Sequence, residues 1–281
     1  EDGIRDVERS RGLGDVYKRQ EISALKFQAD FSTLPVGDFP VTEIQEFDRE
    51  VALPAKELSD LIENTSFAMA SQDVRYYLNG ILLEVSPSQI NVVATDGHRL
   101  AWSSCKIKTD FTDEKIIIPR KSALELQKLL SLYPENVNIA FNSNQLKVFS
   151  DEYTFISKLI EGSYPDYEKV FPKGTEQKLK ANKSLVQTAL NRAAVLSNEK
   201  YRGVKFILEK DNLKICANNP SKESAEEEVL VEYSGDSFEI GFNISYVQES
   251  LSVISNNEVE FVFFGSENSC LVKNIDDESL I

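Results

Sequence analysis

The chain has one histidine, His98, and only three cysteines in 281 residues. Cys105, Cys216 and Cys270 are widely spaced, form no CxxC pair and have a single imidazole for company. That argues against both a zinc framework and a disulfide scaffold, and leaves buried free thiols in a reducing compartment as the expected reading. Long apolar runs are lacking too. None approaches the ~20 residues that crossing a bilayer requires, and no leader-type segment stands at the start, so the expectation is a soluble, cytoplasmic protein. Positive charge is scarce: 31 Lys and Arg stand against 46 Asp and Glu, a formal charge of −15. A uniformly basic nucleic-acid binder is therefore disfavoured, although segregating bases on one face and acids on another remains open. No glycine-rich phosphate loop and no paired-carboxylate constellation stands out, so neither cofactor nor metal is expected.

What is present is enough apolar residue, 41% of the chain, to build a sizeable core, with a length that fits roughly two domains. Residues 1–20, rich in charge and glycine and without a sustained apolar period, predict little order and read as extraneous to the fold. From Phe27 the alternation Phe27, Ala29, Phe31 predicts a half-buried strand. The segment Phe31–Pro40 is echoed by Ile156–Pro165, with Ser, Leu, Gly, an aromatic and Pro at matched spacing. This is an internal repeat of roughly 125 residues.

The repeat extends through the chain. Lys56–Ala70 carries a helical apolar face at Leu58, Leu61, Ile62, Ala68 and Met69, matched by Lys183–Leu196. Each leads through a Ser-polar-acid turn into a strand, expected at Tyr77–Val85 and Val204–Glu209. Lys115–Leu130 and Phe238–Leu251 both read as strand then helix, followed by the alternating strands Val137–Phe141 and Val259–Phe263. The expected class is α+β, with repeated domains each packing two helices on antiparallel sheet. The boundaries fall at 21–48 for the remnant of a first copy, 49–171 for a complete central copy, and 172–281 for a third copy lacking its last strand. On this reading the sequence is a fragment, truncated at both ends.

Two stretches carry more polar and aromatic groups than a plain strand needs: Arg75-Tyr-Tyr-Leu-Asn-Gly80 and Ala94-Thr-Asp-Gly-His-Arg-Leu100. Asp96-Gly97 is a turn signal. Tyr76 and Tyr77, being adjacent, point to opposite faces if the strand is extended. Asp96 and His98 resemble an acid–base pair, but no nucleophile motif accompanies them, and a non-catalytic role is the better reading. Glu226–Glu228 reads as a solvated rim, and Trp102 as packing.

These residues, together with Ser71–Gly80, Pro119-Arg-Lys121, Ser157–Tyr167, Leu196–Val204, Ala217-Asn-Asn-Pro220 and Tyr233–Val247, resemble the bacterial DNA polymerase III beta subunit family, the sliding clamps, over Phe27–Ile281. The resemblance implies a DNA clamp fold and a homodimeric ring of similar domains around duplex DNA, with helices lining the hole and sheets outside. It implies a non-enzymatic processivity factor that tethers the replicative polymerase. A peptide-binding cleft is implied at Arg75, Tyr77, Leu78, Thr95, Gly97, His98, Arg99, Leu100, Pro165, Lys169 and Val170. Its partners would be the replicative DNA polymerase, the clamp loader and other proteins with clamp-binding motifs. Lys169 stands where the family commonly has Arg, which would turn a forked hydrogen bond into a point-charge contact. The DNA side is implied at Gln72, Tyr76, Arg120, Lys121 and Arg202, contacting double-stranded DNA without reading sequence. Because both end copies read as incomplete, homodimer formation is expected to be impaired. The competing readings are an enzyme using Asp96 and His98, and a peptide-binding adaptor that does not encircle DNA.

Overall fold

The computed structural model describes residues 3–7, 19–38, 46–47, 49–109, 112–133 and 135–275. The chain divides into two units, Glu1–Glu46 and Phe47–Ile281. The expectations for residues 8–18, for 39–45 and for the segment beyond Ile275 lie outside the described residues. In the first unit β1 (Gly3–Val7), β2 (Arg19–Ala24) and β3 (Phe27–Ser32) form an antiparallel sheet in that order. The ordered strand at Gly3–Val7 departs from the expectation of little order across residues 1–20. Phe27 and Phe31 are 59% and 50% exposed rather than half-buried. Among the described residues of this unit no second layer exists for them to pack against.

The second unit holds two successive repeats. The first runs β4 (Arg49–Pro54), α1 (Ala55–Ser66), β5 (Gly80–Val85), β6 (Gln89–Thr95), β7 (Leu100–Lys106), β8 (Glu114–Pro119), α2 (Arg120–Leu132), β9 (Asn136–Phe141), β10 (Gln145–Phe149) and β11 (Thr154–Lys158). The next runs β12 (Gln177–Asn182), α3 (Lys183–Val195), β13 (Gly203–Glu209), β14 (Asn212–Asn218), β15 (Ser224–Leu230), β16 (Glu232–Tyr233), β17 (Phe238–Asn243), α4 (Ile244–Val253), β18 (Glu258–Phe263) and β19 (Leu271–Asn274). Each repeat has two four-stranded antiparallel sheets: β11-β10-β9-β4 with β7-β6-β5-β8, then β16-β12-β18-β19 with β15-β14-β13-β17. No helix among the described residues is long and apolar enough to cross a membrane.

In both repeats a strand passes directly into a helix, and the two repeats secure that junction differently. Pro54 and Pro119 stand before α1 and α2 with φ of −60° and −57°, values the ring imposes. Asn182 and Asn243 stand before α3 and α4, and their side chains accept from the amides of Leu185 and Ser245, satisfying donors the helix start leaves open. The helices bury one face, Leu58, Leu61 and Ile62 on α1 and Val186, Ala189, Leu190 and Ala193 on α3. Each repeat has its own core, one centred on Ile62, Leu83, Val92 and Phe141 and the other on Leu190, Phe206, Leu213 and Phe261.

One element differs from its expected form. Tyr76–Leu78 is a 3₁₀ turn, not the start of a strand, and β5 begins only at Gly80. The tyrosines therefore do not alternate across a sheet. Their rings meet edge to face at 5.8 Å, with Tyr76 exposed and Tyr77 half-buried. The Leu78 amide donates to the Arg75 carbonyl, and the Leu78 carbonyl accepts from the Ala70 amide.

Candidate functional site

The two repeats share a fold but not an outer surface. The strand ladders pair Gly80 with Pro119 and Gly203 with Asn243, which makes Leu82 the counterpart of Lys205, Glu84 of Ile207 and Ile117 of Gly241. In the later repeat the outer face of this sheet is a solvated charge ladder, with Lys205–Glu239 at 2.9 Å and Lys214–Glu226 at 2.6 Å. In the earlier repeat the same face is apolar: Leu82, Val93 and Ile117 form a small cluster with Tyr167, and Tyr77, Leu100, Trp102, Ile160, Tyr164 and Phe171 pack against it. The connector after β11, residues 159–171, lies across this face.

A half-buried carboxylate holds the connector down. Glu84 accepts from the Tyr167 hydroxyl at 2.7 Å, the Asn91 amide at 3.1 Å and the Lys115 ammonium at 2.6 Å. Burial pushes the Glu84 carboxyl upward, but these donors outweigh it and leave its pKa below the ordinary value. Burial and the adjacent Glu84 charge raise the Tyr167 hydroxyl far above its usual range, so it stays a donor. At the far end the Tyr164 hydroxyl accepts from the Thr95 amide at 3.0 Å. Between connector and sheet lies a groove of about 480 Å³ floored by Leu82 and Ile117 and bordered by Tyr164, Pro165 and Lys115.

A second cavity, about 570 Å³, borders the β6–β7 loop and is lined by Phe67, Arg75, His98, Arg99, Arg120 and Glu249 among others. Its carboxylates and guanidiniums are bonded within the structure. Asp96 Oδ1 accepts from the His98 and Arg99 amides at 2.9 and 3.1 Å, and Asp96 Oδ2 pairs with Arg99 Nε at 3.2 Å. Asp96 thus closes the turn and is no partner for the His98 ring. Gly97 has φ of +88°, and a Cβ there would stand 2.9 Å from the Arg75 guanidinium, so the turn admits only glycine without strain. Arg75 forks onto Asp73 at 3.0 and 2.8 Å and donates to the Asp96 carbonyl at 3.2 Å.

The Arg75 side chain and amide, both donating to Asp73, hold its carboxyl down to about 2. A depressed carboxylate contributes stability that is full above its ordinary value of 3.8 and is lost as pH falls through about 2. Carboxyl-carbon NMR is expected to place the Asp73 midpoint near that lower value. A midpoint at 3.8 would mean the fork is not formed in solution.

The implied cleft residues thus divide. Tyr77 and Leu100 pack on the apolar face, and Pro165 borders its groove. Val170 is 57% exposed on the connector. Thr95 bonds the loop itself, its hydroxyl donating to the Arg99 carbonyl at 2.5 Å and accepting from the Gly97 amide at 3.0 Å. Arg75, His98 and Arg99 border the second cavity. Leu78 is only 2% exposed and turns inward from the 3₁₀ turn. Lys169 pairs with Asp166 of its own connector at 2.7 Å.

On the implied DNA side, Gln72 is exposed in a turn with φ of +58°, and Tyr76 is 58% exposed. Lys121 is exposed at the start of α2, but Arg120 is half-buried and donates to the Met69 carbonyl at 3.2 Å. Arg202 occupies the matching loop of the next repeat. Its carbonyl accepts from the Ile244 amide as the Asn79 carbonyl accepts from Arg120. Phe67, Tyr164, Tyr246 and Glu249 are site residues that sequence reasoning did not single out.

A duplicated α+β scaffold with one apolar sheet face, and Asp96 bonded into its own turn, has the form of a binding surface. Family models match residues 52–166 as the DNA polymerase III beta subunit central domain and 168–281 as its C-terminal domain. The chain is 44% identical over 258 residues to the beta sliding clamp of Pseudomonas aeruginosa, covering 92% of this chain and 70% of the relative. Against that of Escherichia coli it is 39% identical over 262 residues, covering 93% and 72%. A crystal structure of the Pseudomonas aeruginosa DNA polymerase III subunit beta superposes with a TM-score of 0.90 at 42% identity, covering 93% of this chain and 72% of that one. The chain belongs to the DNA polymerase III beta subunit family, the bacterial sliding clamps. It is a non-catalytic processivity factor.

Proposed function

We propose that the apolar outer face of the central sheet is where this sliding clamp tethers its partners. The groove beneath the connector takes the Leu-Phe type anchor of a short linear peptide from the replicative polymerase, the clamp loader or another clamp-binding protein. The observation that carries this reading is the contrast between repeats: where one has Lys205, paired with Glu239 in water, and Gly241, the other has Leu82 and Ile117 under a strapped connector. An apolar pocket with a few directional groups at its rim is the usual form of a peptide anchor site.

The loop before β5 and the start of α2, with Gln72, Tyr76, Lys121 and the matching Arg202, face duplex DNA and hold it through phosphates, which carry no sequence information. In the full-length family the duplex threads a homodimeric ring, in the cytoplasm.

Pro165→Ala at the groove's border combined with Leu100→Ala on the same apolar face is expected to weaken binding of a fluorescein-labelled Leu-Phe peptide by about 1–3 kcal/mol. Unchanged fluorescence-polarisation affinity in that variant would remove the site assignment.

A further inference from the structure

Arg99 links the two repeats. It sits on the β6–β7 loop, yet its guanidinium pairs with Glu249 of α4, 150 residues further along the chain. Its Nη2 donates to the Phe67 carbonyl at 2.7 Å and its Nε to Asp96 at 3.2 Å. The guanidinium carbon lies 4.5 Å from the Tyr246 ring centroid and 5.3 Å from that of Phe67. Only 16% of the Arg99 side chain is exposed. Each nitrogen of the guanidinium thus has an acceptor, and two aromatic rings lie within cation–π distance. The neighbouring His98 ring stacks on Tyr246 at 6.5 Å.

From the other side the Arg75 guanidinium closes on Gly97 and the Asp96 carbonyl. The Thr95–Leu100 loop is therefore held between Arg75 of its own repeat and α4 of the next. Its two ends reach the apolar face directly, Thr95 through the Tyr164 hydroxyl and Leu100 through packing. Glu249 itself does not border the groove beneath the connector.

We propose that Glu249 is a positioning residue for the peptide groove: by pairing with Arg99 it fixes the Thr95–Leu100 loop, so that the orientation of α4 in the last repeat sets the shape of a site built on the central one. This rests on the groove being the peptide site. It deepens that reading by making peptide affinity and the junction between repeats thermodynamically linked. Whatever loosens α4 weakens the peptide, and bound peptide stiffens the junction by the same factor.

The test uses the full chain and the fluorescein-labelled Leu-Phe peptide. Glu249→Ala is expected to weaken binding roughly fivefold, and Glu249→Gln, which keeps an acceptor for Arg99, to recover part of the loss. Adding Glu249→Ala to Arg99→Met should cause no further loss, because the carboxylate acts through that guanidinium. Additive losses, or binding by Glu249→Ala within twofold of the parent, would overturn the proposal while leaving the site assignment standing. Failure of the parent chain to bind would instead remove the site assignment. The second measurement is independent of peptide: hydrogen exchange at the His98 and Arg99 amides should quicken in Glu249→Ala with α1 unchanged. Unchanged exchange at those amides overturns the proposal whatever the peptide does.

Discussion

Tyr167→Ala is expected to release the connector from the central sheet and to abolish measurable peptide binding. Tyr167 is only 5% exposed and anchors the small outer cluster, with Phe171 edge-on at 6.5 Å. Truncating a buried aromatic of this kind destabilises by about 3–5 kcal/mol, because the transfer energy is lost and a cavity remains. Tyr167→Phe separates the two contributions. It keeps the ring and deletes the hydroxyl's bonds, chief among them that to Glu84, a hydrogen bond to a charged group worth about 1.5–3 kcal/mol.

The smaller effect has a pH signature. Glu84 titrates below its ordinary value in the folded chain, so its contribution is full above pH 4.5 and is lost as pH falls through the depressed folded value. The stability gap between parent and Tyr167→Phe should therefore be present at neutral pH and shrink once Glu84 is protonated. Urea unfolding at several pH values reads this directly. A Tyr167→Ala chain with the parental urea midpoint and parental peptide affinity would show that the connector is not held by this contact.

The parts of this architecture that were legible in the sequence are those with a local period. The strand-to-helix passages and the helical faces of α1 and α3 repeat in the chain itself, so the duplicated α+β fold could be read without coordinates. Side-chain direction within irregular backbone could not. Leu78 lies between Tyr77 and Asn79 in a motif rich in surface-type residues, and only the 3₁₀ geometry of Tyr76–Leu78 shows it turning inward. The apolar face was hidden for another reason. Ile81–Leu83 and Ile116–Ile118 are unbroken apolar runs, which reveal a strand buried on both sides but not which residues face which layer. The ladder register resolves it, placing Ile81 and Leu83 in the main core and Leu82 outside. The contribution of α4 had no sequence signal at all. Tyr246 and Glu249 are ordinary residues on an amphipathic helix until Arg99 meets them across the junction.

That junction yields the second large expectation. The cores of the two repeats share no residue, so damage to one should not unfold the other. Phe206 is fully buried, with Phe242 and Phe261 edge-on at 5.2 and 6.3 Å. Phe206→Ala should destabilise the last repeat alone by about 3–5 kcal/mol. The chain carries a single tryptophan, and Trp102 lies on the outer face of the central repeat, so its fluorescence reports that repeat. In urea, the circular-dichroism signal of Phe206→Ala should begin to fall well before the Trp102 emission moves, whereas the two are expected to separate far less in the parent. A single coincident transition displaced to lower urea would mean instead that the repeats unfold as one cooperative body. In the window where only the last repeat is open, α4 has lost its anchors Ile244, Val247 and Leu251, and with them the surface that meets Arg99. Peptide binding should weaken there by at least the fivefold expected of Glu249→Ala although every residue of the apolar groove remains folded, which ties the tethering function of the central repeat to the integrity of its neighbour.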